Sequence, residues 1–201
     1  ILRAYGVANY IEYNVLPSIG TWTHVCITRI NNQATLYYNG VSVATGLANK
    51  NFSASAKTHI GSDSFNSFNG KIDEPKIFTR ALTQYEVSQL YYGYDTTFNQ
   101  YGILRNGLEA EYHFSNDALD SSGNGYNLTA TGTPTFVNEK NAGALSAVDL
   151  DSVDNYRNDS YVGVTNTGDL TYSWWTNWKS GNVASGAGYW LFATGLQADA
   201  N

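Results

Sequence analysis

The 201-residue chain has little of several things that other classes of protein need. Cys26 is the only cysteine, so an intrachain disulfide is excluded, and we expect this residue to fill the core as a small apolar side chain. Only 11 lysines and arginines stand against 17 aspartates and glutamates, and the formal charge is −6. Nucleic-acid binding is therefore not expected, because phosphates require clustered positive charge. A membrane span is not expected either, since no apolar run reaches the roughly 18 residues that a spanning helix needs.

Tyrosine, glycine and small polar residues are plentiful, with 16 tyrosines and 19 glycines, whereas charged residues make up only 14%. Aromatic and β-branched residues favour strands, and glycine and asparagine supply turn geometry. The composition predicts short strands joined by many turns, in a chain long enough for one sandwich with a core. Its acidic, lysine-poor character favours an extracellular, cell-surface or virion setting.

The most regular pattern of the first half lies between residues 22 and 45. Residues 22–30 alternate as a strand whose two faces carry Trp22, His24, Cys26 and Thr28 on one side and Val25, Ile27 and Arg29 on the other. Asn31-Asn32 predicts a two-residue turn into QATLYY, and Asn39-Gly40 predicts a second turn into VSVAT. These signals predict a three-stranded meander.

One helix is predicted near 84–92. Thr83 is a natural N-cap residue, and Glu86 three positions later completes a capping box. Gly93 stands where a left-handed residue ends a helix. The second half predicts a strand over 108–114, a tight loop over 117–125, a short strand near 126–130, and strands in GDLTYSWWTNW and YWLFATG.

Two groups of motifs carry a family resemblance. GTWTHVCITRI, ATLYYNGVSVATG and HIGSDSFNSFNGKIDEPKIFTRALTQYEV resemble the later half of laminin-G-like (concanavalin A-like) domains of the bacterial and phage type. LEAEYHFSNDALDSSGNGYNLT and GDLTYSWWTNW resemble the earlier half. The resemblance implies an all-β fold, an antiparallel two-sheet jelly-roll sandwich with one short helix near 84–92. It also implies a domain type that is often carbohydrate-binding or adhesive and often calcium-bearing.

These halves stand in reversed order along the chain. Residues 1–93 correspond to the C-terminal half of such a domain, 94–104 to a linker, and 105–201 to the N-terminal half. Each half alone would expose unpaired strand edges and apolar faces. Either the halves pair within one chain as a circular permutant, or each pairs with the opposite half of a neighbouring copy in a head-to-tail string. Exchange between copies is favoured if the chain is one repeat of an array.

The loop DALDSSGNG is the candidate metal site. Asp117 and Asp120 supply carboxylates, and small residues such as Gly123 can turn carbonyl oxygens toward a hard cation such as calcium. In related sandwiches this loop and the closing strand are implied to lie together, which would bring Asp73 or Glu74 near Asp120. The alternative is that Asp120 only stabilises the turn with hydrogen bonds to the backbone.

Candidate glycan-binding residues lie in the strand TYSWWTNW. Sugars stack on exposed aromatic rings, and Trp174 and Trp178 share one face of this strand while Trp175 takes the other. Trp178, beside Asn177, is the tryptophan expected to be exposed, whereas Trp175 aligns with the core tryptophan that the resemblance implies. Most of the aromatic residues are expected to pack in the core.

Catalysis has little support in the sequence. Glu109 and Glu111 lie two apart on one strand, but EAEYHF lacks the further acids of the E-x-D-x-x-E motif that related jelly-roll glycosidases use. The leading interpretation is a non-catalytic glycan-binding or adhesion domain of a surface or virion protein, a repeat of a longer array. The alternatives are a structural repeat of an extracellular fibre or filament, and a glycosidase.

Overall fold

The computed structural model describes residues 2–6, 9–13, 17–48, 58–61, 68–93, 104–138, 147–151, 153–158, 168–179 and 192–194. Within these residues the protein consists of fourteen β-strands and one short α-helix, α1 (Gln84–Tyr92). In chain order the strands are β1 (Leu2–Gly6), β2 (Asn9–Tyr13), β3 (Trp22–Ile30), β4 (Gln33–Tyr38), β5 (Val41–Leu47), β6 (Thr58–Ile60), β7 (Gly70–Phe78), β8 (Leu108–Glu111), β9 (Thr129–Thr131), β10 (Thr135–Val137), β11 (Ala147–Leu150), β12 (Asn155–Asn158), β13 (Leu170–Trp178) and β14 (Phe192–Thr194).

Two antiparallel sheets form the sandwich. The main sheet has the order β10-β11-β7-β13-β3-β4-β5, and β8 also pairs with β7. The second sheet has the order β14-β6-β12-β9, and β1 pairs with β2 as a separate hairpin. Ile60 and Tyr156 of the second sheet join Val25, Ile72 and Trp174 of the main sheet in one apolar core. The expected all-β jelly-roll sandwich is confirmed.

Strand β13 lies in the middle of the main sheet, between β7 and β3. In the middle of this sheet, β7 and β3, which precede residue 93, therefore alternate with β11 and β13, which follow residue 104. The predicted linker, apart from Leu104, lies outside the described residues. Leu104 itself is buried beside Leu82, Val87 and Leu90 rather than exposed in a connecting segment.

The meander β3-β4-β5 confirms the prediction from turn residues. Asn31, Asn32, Asn39 and Gly40 all have positive φ angles, as two-residue hairpin turns require. A Cβ atom at Gly40 would lie 3.1 Å from the ring of Tyr91, so this turn also needs a glycine for the close approach of α1. The alternation of β3 is confirmed too, because Val25 lies in the core and Cys26 packs against the helix side of the sheet.

Helix α1 begins and ends as the sequence predicts. The Thr83 side chain accepts a hydrogen bond from the Glu86 backbone N–H, and the Glu86 carboxylate accepts one from the Thr83 backbone N–H. Gly93 has φ 73° and ends the helix in the left-handed conformation. Val87 and Leu90 anchor the helix on the face of the main sheet opposite the core. Among the described residues, no helix is long and apolar enough to span a membrane.

In the second half, two predicted strands are shorter than expected. The strand predicted over 108–114 ends at Glu111, and the one near 126–130 is Thr129–Thr131. The backbone turns after Glu111 because Phe114 and Asn116 have positive φ angles. Only residues 192–194 of the predicted YWLFATG strand are described, and they form β14.

Candidate functional site

The structure places the predicted glycan-binding residues differently from the expectation. Trp174 is 4% exposed and lies in the core, so its ring faces are covered. Asn177 is also buried, and its side-chain amide donates to the Gly20 carbonyl oxygen. Trp178 is half-buried and packs edge-on against Phe68, with the ring centroids 5.2 Å apart. Packing therefore covers Trp174 and Asn177, which leaves neither side chain exposed for contact with a glycan.

Trp175, which the sequence assigned to the core, lies instead on the opposite face of β13 and is half-buried. Its ring stacks on Tyr91 of α1, with centroids 5.7 Å apart and 23° between the planes. Tyr92, which is 67% exposed, contacts the Tyr91 ring at 4.9 Å. We call Tyr91, Tyr92 and Trp175 the aromatic surface. His24 supports it from beneath, 5.3 Å from the Trp175 ring.

The loop after β8 is organised by the carboxylate of Asp120. One oxygen accepts hydrogen bonds from the backbone N–H groups of Glu111 and Ser122, at 3.1 and 2.9 Å. The other accepts from the Tyr126 backbone N–H at 3.0 Å and from the Ser122 hydroxyl at 2.8 Å. Burial by itself would raise the pKa of Asp120, but these hydrogen bonds outweigh it and lower the pKa.

This geometry bears on the calcium hypothesis. Both oxygens of Asp120 are engaged by the loop itself, and one oxygen of Asp117 accepts from the Leu119 backbone N–H. Gly123 is exposed, and Asp73 is buried in β7 opposite Trp175. Across the ranges that the structure describes, no group of three or more histidine, cysteine, aspartate or glutamate side chains is arranged to hold a metal ion. These hydrogen bonds explain the position of the Asp120 carboxylate without a metal ion, and the predicted calcium site stays a prediction.

The closing strand β7 meets β8, the strand that precedes the predicted loop. Strand β8 pairs with β7, and Glu111 lies opposite Lys76. The Lys76 ammonium bridges two carboxylates, with Nζ 2.6 Å from Glu74 Oε2 and 3.3 Å from Glu111 Oε1. His113 Nδ1 lies 3.5 Å from Glu74, and Arg105 Nη2 lies 3.5 Å from Glu111 Oε2. We call these five residues the charge cluster.

Members of the charge cluster differ in their access to solvent. Lys76 and Glu111 are buried, and the Glu111 side chain is only 1% exposed. Arg105 and His113, at 43% and 40% exposed, and the partly exposed Glu74 form its outer rim. The cluster is therefore a buried ion pair with a solvent-facing edge, and not a surface salt bridge.

Neighbouring charges perturb two of its titratable groups. Burial would raise the pKa of Glu74, but the Lys76 ammonium and the hydrogen bonds from His113 and Lys76 hold the pKa well below its usual range. The hydrogen bond to Glu74 raises the pKa of His113 above its ordinary value, against the opposing effect of burial, and the charge of Glu111 adds to the increase. Both shifts favour the ion-paired state.

The backbone of β7 is distorted at this point. Glu74 has φ 51°, a left-handed conformation that is strained for a residue other than glycine. The pairing of β7 with β13 shifts register here, between Ser173 and Trp175. Strand β11 pairs with the beginning of β7 and β8 with its end, so Glu74 lies in the gap between them. Such a bulge re-aims a side chain, and here it directs Glu74 toward Lys76 and His113.

The catalytic alternatives gain little from this geometry. Glu74 and Glu111 approach each other, but the Lys76 ammonium lies between their carboxylates, where a glycosidase would need room for its substrate. His24 Nε2 lies 2.9 Å from the Ser173 hydroxyl, yet both side chains are buried and a substrate could not reach them.

Sequence reasoning missed the charge cluster because its members come from three separate segments. In the sequence, the acidic residue that stands near Glu111 on its own strand is Glu109. A signal was present in the position of Lys76 inside the strand GKIDEPKIF, because a buried lysine requires an anionic partner. The identity of that partner depends on the register between β7 and β8, which no local pattern specifies.

The fold and the site define a β-sandwich with an aromatic surface and a buried charge cluster on the sheet face opposite the core. Residues 4–88 match the family model described as the concanavalin A-like lectin/glucanases superfamily, of the laminin-G type. The laminin-G-like resemblance is thereby confirmed for this segment. Neither the comparison with curated proteins nor that with solved structures found a match.

Proposed function

We propose that the protein is a non-catalytic recognition or adhesion domain that binds glycans at an extracellular, cell-surface or virion surface. The observation that carries the proposal is the aromatic surface. Trp175 and Tyr91 stack with their rings partly open to solvent, and Tyr92 extends the apolar area beside them. Sugar rings present apolar C–H faces that pack on such aromatic rings, as in many ligand sites that combine aromatic and polar groups. The superfamily match of residues 4–88 supports the same function.

A glycan array followed by titration of the bound oligosaccharides tests this proposal. We expect saturable binding that Tyr92→Ala weakens at least tenfold. Tyr85→Ala is the matched control, because Tyr85 is similarly exposed on the same helix, about 10 Å along its axis by the rise per residue. Trp178→Ala, assayed in parallel, tests the sequence-based prediction for that residue. Absence of binding to every oligosaccharide would refute the proposal.

A structural subunit of an extracellular fibre is the second candidate. It is supported by the alternation of strands from the two halves of the chain in one sheet, β11-β7-β13-β3. Such a sheet can be completed within one chain or by the opposite half of another copy, in which case head-to-tail exchange would build a filament. We propose that the halves pair within one chain, as a permuted laminin-G-like domain with 94–104 as its linker.

Absence of catalysis is part of the proposal. The test is incubation of the bound oligosaccharide with the protein and analysis of the products. Hydrolysis that disappears in Glu111→Gln would establish a glycosidase instead, whereas an unchanged oligosaccharide is the expected result.

A further inference from the structure

We infer that the outer rim of the charge cluster is a second glycan subsite, which binds adjacent hydroxyl groups of a neutral sugar. The inference rests on the proposed glycan-binding function and adds the residues Glu74, Arg105 and His113 to it. Lys76 and Glu111 lie beneath this rim and position it. The subsite is separate from the aromatic surface, although both lie on the same face of the main sheet.

The first observation is hydrogen-bonding capacity that the protein does not use. Glu111 Oε2 is buried and accepts no hydrogen bond. Its cationic neighbours, Arg105 Nη2 and His113 Nε2, lie 3.5 and 3.8 Å away, and neither donates a hydrogen bond to it. A buried carboxylate oxygen that accepts no hydrogen bond is stabilised by a hydrogen-bond donor, and a sugar hydroxyl can act as that donor. Arg105, whose side chain is partly exposed, lies beside this oxygen at the edge of the cluster.

The second observation is the balance of charge, which selects the kind of ligand. The charges of Lys76 and Arg105 cancel those of Glu74 and Glu111, so the titration of His113 alone sets the net charge of these five residues. A divalent cation between the carboxylates would meet the Lys76 ammonium, and an anion at the rim would meet Glu74. A neutral diol avoids both conflicts, because one hydroxyl donates to a carboxylate while its neighbour accepts from the guanidinium.

The third observation is the position of the rim relative to the aromatic surface. Lys76 lies opposite Ser173 on β13. Trp175, two residues after Ser173, lies on the same face of that strand. The ion pairs from Lys76 to Glu74 and Glu111 join the rim to this face. The strand register therefore places Trp175 and the residues that position the rim on neighbouring strands of one sheet. The strained bulge at Glu74 aims a carboxylate at this edge, which a purely structural ion pair does not require.

The experiment compares neutral tetrasaccharides of glucose, galactose and mannose with a tetrasaccharide of galacturonic acid. Affinities are measured by titration for the wild type, Arg105→Gln and His113→Gln, and thermal melts are recorded for each. Arg157→Gln serves as the control, because Arg157 is an exposed arginine on β12 of the other sheet. We expect a neutral tetrasaccharide to bind, and Arg105→Gln to weaken that binding at least tenfold while Arg157→Gln leaves it unchanged.

Other outcomes separate the subsite from the proposed function. Neutral-glycan binding that survives unchanged in both Arg105→Gln and His113→Gln overturns the subsite and leaves the aromatic surface as the binding site. Preferential binding of the galacturonic-acid tetrasaccharide overturns the inference of a neutral ligand. Absence of binding to all four tetrasaccharides and to the glycan array overturns both proposals.

Discussion

At the scale of single residues, Asp120 holds its loop through four hydrogen bonds to one carboxylate. Asp120→Ala would leave three backbone N–H groups without an acceptor, so we expect a loss of roughly 1–3 kcal/mol in the free energy of unfolding. Chemical denaturation measures it. Asp117→Ala is the control, because Asp117 is exposed and accepts a single hydrogen bond from the Leu119 backbone.

The same pair of variants tests calcium. Both oxygens of the Asp120 carboxylate already accept hydrogen bonds from the loop. We therefore expect the melting temperature of the wild type to stay the same after addition of a chelator. A bound ion would instead stabilise the native state by about 2.7 kcal/mol at a hundredfold excess over Kd, and this increment would vanish on chelation and in Asp120→Ala. A chelator response of that kind would establish the calcium site that the loop sequence predicts.

His113 makes the stability of the charge cluster depend on pH. Its pKa in the folded protein is raised by Glu74 and Glu111, so its contribution is fully present below the ordinary pKa of 6.5 and is lost as the pH rises through the raised value. Lys76, the other charge that faces the imidazole, opposes the increase. We expect His113→Gln to destabilise the protein more at pH 5.5 than at pH 9, by less than about 1 kcal/mol because the side chain is partly exposed.

Denaturation curves of the wild type and His113→Gln at the two pH values measure this difference. Glu74→Gln should reduce it, because the variant removes the carboxylate that hydrogen-bonds the imidazole. An equal effect of His113→Gln at both pH values would contradict the assigned ion pairs.

At the scale of secondary-structure elements, α1 is held by its N-terminal cap and by an ion pair. Glu86 accepts from the Thr83 backbone at 2.8 Å and from Arg80 Nη1 and Nη2 at 3.0 and 2.6 Å. Thr83→Ala removes the reciprocal hydrogen bond to the helix, and we expect it to cost about 1 kcal/mol. Thr83→Ser keeps the hydroxyl and should restore most of this loss. Thermal denaturation of both variants checks the prediction, which fails if alanine and serine behave alike.

The elements also show which local patterns were informative. Asn39-Gly40, the Thr83 cap and Gly93 each specify a backbone conformation through the chemistry of one or two residues, so their turns and helix ends could be predicted. The exposure of the tryptophans in β13 could not be predicted in this way. Alternation separates Trp174 from Trp175, but it does not say which face of a central strand is covered by the second sheet and which by a nine-residue helix.

At the scale of the whole molecule, the pairing of the two halves has a direct test. Ser173 lies opposite the native Cys26 across β13 and β3. Paired residues in antiparallel strands have Cα atoms about 4.5–5.5 Å apart, which lies within the range of roughly 4.4–6.8 Å that disulfides accept. Ser173→Cys, refolded under oxidising conditions, should therefore form a disulfide that joins the halves. We expect monomers on a non-reducing gel, because we propose that the halves pair within one chain.

Covalent dimers or a ladder would instead show that neighbouring copies exchange halves, as a fibre subunit requires. Ser42→Cys is the matched control, since Ser42 is exposed on β5 and pairs with Tyr37 rather than with Cys26. Monomeric Ser42→Cys beside laddered Ser173→Cys would thus overturn pairing within one chain.

The sequence by itself determined the fold class, the meander, the ends of α1 and the presence of a laminin-G-like segment, because each depends on local periodicity, turn chemistry or motif order. Only the tertiary structure decided the site. The register of β7 against β8 sets Lys76 between Glu74 and Glu111, and the packing of α1 on the main sheet brings Tyr91 over Trp175. Those contacts join segments far apart in the chain, and their geometry follows from how strands and helix pack together, which no single segment encodes.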